Sequence, residues 1–210
     1  MPSSSFMSAW TSIAQKQSSN SVERASLIIP RLYLSDFSTA MDEEIMLKLG
    51  VTHVVSVLDW SPEFLASIPA PHRLHISLRD LPTADILAHL DSTTRFVKAA
   101  LEENESNVVL VHCFQGVSRS ATVVCAYLIS TAGMTAMESI TFVQSKRRIV
   151  SPNNGFRKQL HSYATSIRES TAMKVTVENS SFESTKGSAQ LTDEAQKTEV
   201  SIGRSSESPW

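Results

Sequence analysis

A thiol and a guanidinium stand close together in the stretch VVLVHCFQGVSRS, residues 108–120, where Cys113 is followed by five residues and then Arg119. Neither group alone means much. Together, across a turn that contains Gly116, they match the needs of a reaction on a bound oxyanion. A loop that runs from a strand into a helix points successive backbone N–H groups into one concavity at the helix N-terminus, and such a concavity holds anions. A thiol at its base lies among N–H dipoles that favour the thiolate and lower its pKa. Arg119 offers a planar fork of donors suited to two oxygens of a phosphate, and Gly116 lets the backbone turn and come close to a ligand. A sulfur nucleophile beneath a tetrahedral anion implies in-line attack on phosphorus and a covalent thiophosphate. Ser120 is placed to donate to the sulfur when it leaves in the second step. Phe114, Gln115, Gly116, Val117 and Ser118 supply the backbone that would ring the phosphate.

These groups need elements to hold them. Four apolar residues, 108–111, lie between Asn107 and His112 and predict a buried strand; apolar residues 121–129 predict a buried helix. Upstream, residues 27–29 and 32–34 flank Pro30 and predict two short strands with a bend. Residues 41–49 predict a helix with Ile45, Met46 and Leu49 on one face, stopped by Gly50. Residues 52–58 and 73–78 predict two more strands, and Ser61-Pro62 the start of a short helix between them. Ile86, Leu90, Val97 and Leu101 mark one face of a long helix reaching Glu103, with Asp85 at its start as a capping residue. Downstream, Gly133 predicts a helix stop, Thr135 with Glu138 a capping box, and residues 151–155 a turn. Phe156, Leu160, Tyr163 and Ile167 then predict a last helix. Arg147-Arg148, just before that turn, reads as a solvated helix end, with a place on the site's rim as the alternative.

His-Cys, five residues, Arg, then Ser resembles the signature of the cysteine-based phosphatases. Ser118-Arg119-Ser120, followed by the apolar helix with Ala126-Tyr127-Leu128-Ile129, is similar to the dual-specificity branch. The resemblance extends to 29–34 (IPRLYL), 50–54 (GVTHV) and the segment from Pro152 to Phe156 with Gln159-Leu160 behind it, and covers residues 25–168. It differs in one place: the family often has Arg-Pro where this chain has Arg148-Ile149. The resemblance implies an α/β fold with a central mixed, mostly parallel sheet flanked by helices. It also implies a general acid, because hydrolysis of a phosphoester needs the leaving oxygen protonated. The family places an Asp after a strand about thirty residues before the Cys, and Asp80 holds that position here. Asp59 and Asp85 are its rivals. His112 is expected to fix the loop by hydrogen bonds and so tune Cys113, without transferring protons. Asn153 is expected to support the site through hydrogen bonds.

Length and composition limit the rest. The 210 residues suit one domain with tails: a Ser-rich arm over 1–24 expected to be disordered, a catalytic domain over 25–169 and a Ser/Thr-rich tail over 170–210 also expected to be disordered, apart from a marginal strand over 173–177. The arm is Ser-rich but has no Arg before Arg24, against an organelle transit peptide. A formal net charge of −2 and no basic run longer than Lys146-Arg147-Arg148 speak against nucleic acid as a partner. No apolar run has the length of a membrane span. Two cysteines make no disulfide framework; Cys125 would lie about 9 Å along the helix beyond Arg119 and reads as a small core residue. No metal-ligand spacing appears, so neither metal nor cofactor is expected. A free nucleophilic thiol fits a reducing compartment, cytoplasm or nucleus.

The expected function is a monomeric, metal-independent phosphatase acting on phosphotyrosine and phosphoserine or phosphothreonine in proteins. No Tyr-containing segment of the kind that deepens the cleft of tyrosine-only enzymes is visible, and a shallow cleft admits the shorter side chains. The alternatives are a phosphatase of phosphoinositides, phosphoglucans or RNA ends, a silent phosphate-binding module, and a sulfur-transfer enzyme. Uncharged Phe114, Gln115, Val117 and Ser118 argue against a highly anionic lipid headgroup. Intact Cys113 and Arg119 argue against a silent module. The Ser-Arg-Ser ending and Asp80 favour phosphate over sulfur transfer.

Overall fold

The computed structural model describes residues 24–173. The expected arm therefore lies outside the described residues except for Arg24, and the tail except for 170–173. Two compact units divide the chain between Ile167 and Arg168; the fold of the first positions the site.

Strands β1 (Ala25–Ile29) and β2 (Leu32–Ser35) form an antiparallel hairpin. The bend expected at Pro30 is its turn, and Arg31 adopts φ 67° there. β3 (His53–Leu58), β4 (Arg73–Ser77) and β5 (Val109–His112) complete a sheet of order β1-β2-β5-β3-β4. β5 pairs in parallel with β2 and β3, and β3 in parallel with β4. The sheet is thus mixed and mostly parallel, as expected. Strand side chains alternate between its faces. Val109 and Val111 of β5, with Val55 and Val57 of β3, enter the larger core, while Leu110 and Val54 enter a smaller one with Met46 and Ile68. Burial on both faces accounts for the unbroken apolar run that flagged β5.

A short helix α1 (Phe37–Ala40), not among the expected elements, precedes α2 (Glu43–Leu49), which forms within the expected 41–49. Asp36 caps Thr39 N at the start of α1, and Asp42 caps Ile45 N, so α2 begins just after Asp42 and not at Met41. Gly50 ends α2 in the left-handed conformation, at φ 66°. The short helix expected at Ser61-Pro62 does not form. The Arg73 guanidinium donates to the Leu65 and Ile68 carbonyls and lies over the Phe64 ring, so this segment is held as a loop by a side chain. Only a 3₁₀ turn, Ala70–His72, precedes β4.

α3 (Leu87–Glu103) buries Ile86, Leu90, Val97 and Leu101 along the expected face. α4 (Arg119–Ala132) stops at Gly133, and α5 (Ala136–Lys146) begins with the Thr135–Glu138 capping box. The last helix, α6, runs over 154–167, with Phe156, Leu160 and Tyr163 buried. Residues 168–173, the described part of the second unit, are helical as well. Helix therefore continues past the expected boundary at 169, and Met173 is helical where a strand was expected to open; 174–177 lie outside the described residues. No single helix among the described residues is long and apolar enough to cross a membrane.

Candidate active site

The parallel strands share one C-terminal edge, and the chemistry-bearing residues leave the sheet there, as ligand sites do in open α/β sheets. Cys113 follows β5, the central strand; Asp59 follows β3; Asp80 lies shortly after β4. Residues 113–118 then curl into the N-terminus of α4.

Cys113 lies at the base of that curl, 1% exposed. Its Sγ accepts from Gly116 N at 3.3 Å and from Ser120 Oγ at 3.1 Å. Burial alone pushes the thiol pKa up. The Ser120 hydroxyl and the N–H groups of Ser120, Val117 and Gly116 push it down, and the net effect is a lowered value. The charged sulfur is favoured because its negative charge is met by donors, not because water reaches it.

Gly116 adopts φ 68°, and a Cβ there would come within 2.5 Å of the Ser35 carbonyl oxygen. The loop therefore folds directly onto the end of β2, which only glycine permits. Behind the loop, Ser151 N donates to the Val117 carbonyl, and Thr122 N and Oγ1 donate to that of Ser118.

Arg119 is 6% exposed. Its Nη1 donates to the Leu78 carbonyl at 3.1 Å and lies 3.6 Å from Asp59 Oδ1; its Nε lies 3.8 Å from Asp80 Oδ2. That Nε is buried and makes no hydrogen bond among the described residues. Buried donors are nearly always paired; this N–H, ion-paired with Asp80 but not hydrogen-bonded, has the capacity to donate to an oxyanion beside the ring of amides.

Asp80 is wired to the loop. Its Oδ1 accepts from Ser118 Oγ at 2.7 Å and from Asn153 Nδ2 at 2.8 Å. Asn153 N donates to Ser118 Oγ, and Asn153 Oδ1 accepts from Phe156 N in the first turn of α6. One asparagine thus ties the carboxyl, the loop and the last helix together. The same turn brings Gly155 against the Asp80 loop: a Cβ at Gly155 would sit 1.8 Å from the Pro82 carbonyl oxygen. Of the rivals, Asp59 also reaches Arg119, whereas Asp85 caps Ala88 N at the start of α3.

His112 is fully buried, and its Nε2 pairs with Ser56 Oγ at 2.5 Å. Burial holds its pKa down to about 4, against smaller upward pulls from the Cys113 backbone and Asp36. It is neutral at physiological pH, which suits a structural role. Its Nδ1 makes no hydrogen bond among the described residues.

Arg147 departs from the solvated helix end that its sequence suggested. It is 8% exposed; its Nε donates to the Gly116 carbonyl at 3.0 Å, its Nη2 to that of Gln115 at 3.5 Å and its Nη1 to Ser26 Oγ at 3.3 Å. Burial lowers its pKa, while the charges of Asp36 and Cys113 pull the other way. By drawing loop carbonyls outward, it turns the intervening amides toward the sulfur. Arg148 is exposed, as expected. Among the described residues, no group of three or more His, Cys, Asp and Glu side chains is placed to hold a metal ion.

The family model for the dual specificity phosphatase catalytic domain matches residues 32–166. The chain belongs to this family. As a dual specificity phosphatase it is a cysteine-dependent protein phosphatase and a hydrolase of phosphoric monoesters. It is 37% identical over 148 residues to dual specificity protein phosphatase 13B of Mus musculus, a match covering 68% of this chain and 73% of that one. It is 33% identical over 156 residues to MAP kinase phosphatase with leucine-rich repeats protein 3 of Dictyostelium discoideum, covering 73% of this chain but 17% of that longer protein. Among solved structures, human DUSP28 superposes with a TM-score of 0.64 at 31% identity, covering 72% of this chain and 99% of the other.

Proposed function

We propose that this dual specificity phosphatase hydrolyses phosphotyrosine and phosphoserine or phosphothreonine esters in proteins through a cysteinyl-phosphate formed on Cys113, as a monomer and with no metal or cofactor. The observation that carries the assignment is the sulfur in contact with the Gly116 amide and the Ser120 hydroxyl, beside a buried Arg119 Nε that makes no hydrogen bond among the described residues.

In the first step the Cys113 thiolate attacks phosphorus. An S–P bond forms, the P–O ester bond breaks, and Asp80 gives its proton to the leaving oxygen. Asp80 Oδ1 is occupied by Ser118 and Asn153, which leaves Oδ2 to carry that proton. The backbone of residues 114–118 and Arg119 hold the equatorial oxygens throughout. In the second step the Asp80 carboxylate takes a proton from water, the water oxygen attacks phosphorus, and the S–P bond breaks. Ser120 Oγ donates to the returning thiolate. Inorganic phosphate and the free hydroxyl are the products. His112 and Asn153 position the loop and the acid. The free, activated thiol fits a reducing compartment, so the protein works in the cytoplasm or nucleus.

The test is turnover of a phosphopeptide by the full chain in excess chelator, with acid quenching to trap phosphate on the protein. Label on Cys113 is expected. Asp80→Asn slows turnover by roughly 10²–10³-fold for alkyl phosphates and much less for good leaving groups. A strict metal requirement, or an Asp80→Asn effect independent of the leaving group, would sink the scheme.

A further inference from the structure

Two aromatic rings at the mouth of the site have no part in the scheme above. Trp60, next after Asp59, is 42% exposed, and Phe114, next after Cys113, is 54% exposed. Large apolar side chains are ordinarily buried, and contiguous exposed ones mark a surface for an apolar partner. These two are fixed in place. Their rings meet edge to face with centroids 5.9 Å apart, and Trp60 meets Phe37 in the same manner at 5.8 Å. Phe37 is anchored in turn, since its N–H donates to the Phe114 carbonyl and its ring lies 6.1 Å from that of His112. The pair also adjoins the reacting groups: the Asp59 carboxylate, one residue before Trp60, is 3.6 Å from Arg119 Nη1, and Phe114 directly follows the nucleophile.

We propose that Trp60 and Phe114 form an aromatic shelf that receives the phenyl ring of phosphotyrosine and makes this chain prefer phosphotyrosine to phosphoserine and phosphothreonine. The proposal rests on the reading of Cys113 and its loop as the phosphate site. In phosphotyrosine the ring is bonded to the bridging oxygen itself. Once the phosphate is seated among the loop amides, the ring fills the first space above the rim, beside the Trp60–Phe114 pair. In phosphothreonine that space holds a Cβ and a methyl group, which leave most of both rings in water. The discrimination is therefore made by apolar and aromatic contact with the leaving group, and the phosphate contacts are common to all three substrates.

The experiment uses the full chain and two peptides of one sequence, with phosphotyrosine or phosphothreonine at the same position. The parent is expected to show the higher kcat/KM for phosphotyrosine. Trp60→Ala lowers the phosphotyrosine-to-phosphothreonine ratio about tenfold, Phe114→Ala lowers it in the same direction, and Trp60→Phe restores most of it. Should Trp60→Ala unfold near the assay temperature, Trp60→Leu keeps apolar packing on Phe37 and reads the same ratio. An unchanged ratio in the Ala variants overturns the shelf, whether neither substrate is affected or both fall together as they would for a surface that reads neighbouring peptide residues. A parent that turns over neither peptide overturns the phosphate-site reading as well, so the two failures are distinct.

Discussion

Cys113 and Cys125 are equally buried, and they are opposites in chemistry. Cys125 sits in the middle of α4, where burial pushes its thiol up to about 12 against a weak counter-pull from the Ser139 hydroxyl. Cys113 sits six residues before the first residue of that helix and titrates below an ordinary thiol, although burial acts on it in the same sense. The difference is the number and aim of the donors. In mid-helix the backbone N–H groups are spent on carbonyls one turn back, so a side chain there meets few donors. Before the first turn those N–H groups are unspent, and the curl of 113–118 turns them inward. Position relative to a helix end decides which thiol becomes a nucleophile; solvent exposure does not.

The largest effect that tests this contrast is loss of turnover. Cys113→Ser is expected to lower kcat by at least about 10⁴-fold, because a hydroxyl at the same place stays protonated. Cys125→Ala should leave kcat within twofold and cost roughly 1 kcal/mol of stability for the small cavity. Comparable loss from both substitutions would end the distinction. Next in size is Ser120→Ala, which removes the one side-chain donor to the sulfur among the described residues. It should slow turnover about tenfold and raise the pH midpoint of Cys113 alkylation by iodoacetamide. Cys125 should remain unlabelled in native protein across the same pH range and be labelled only after unfolding, as read by mass spectrometry.

The remaining effect is on stability, not on turnover, and belongs to the neighbour of Cys113. His112 has a folded pKa of about 4, below the 6.5 of an ordinary histidine. The unfolded chain therefore takes up its proton first as the pH falls. The stability that neutral His112 contributes is fully present above pH 6.5 and is lost between 6.5 and about 4, a change of order 3 kcal/mol. Denaturant midpoints measured through this window should show that slope in the parent and a flatter one in His112→Asn. An equal slope in both would assign the acid sensitivity elsewhere.

What the sequence revealed of the site was what is local. Val109 to Ser120 is one strand, one turn and one helix start, so the meeting of Cys113, Gly116, Arg119 and Ser120 follows from chain continuity and was legible. Asp80 was legible only through the resemblance to a family; residue types alone left it level with Asp59 and Asp85. The sheet edge then brought Asp59 to Arg119 as well, and no spacing rule foretells that. Arg147 was misread for the same reason. As a basic residue at a helix end it has the composition of a solvated cap, and only the packing of α5 against β1 and the loop places it under the Gln115 and Gly116 carbonyls. The helix expected at Ser61-Pro62 did not form; in that segment the Arg73 side chain donates to the Leu65 and Ile68 carbonyls, a contact that residue types alone do not foretell.

Gly155 bears no functional group and lies far along the chain from Asp80, yet its missing side chain is the space that the Pro82 carbonyl occupies. An inherited or engineered substitution there would be filed as a lesion in a helical cap, but its symptom would be enzymatic: the proton donor would be levered away from the ester while the thiol kept its reactivity. Such a protein would still capture phosphate analogues and still be alkylated at Cys113, and would turn over substrates with difficult leaving groups hardly at all.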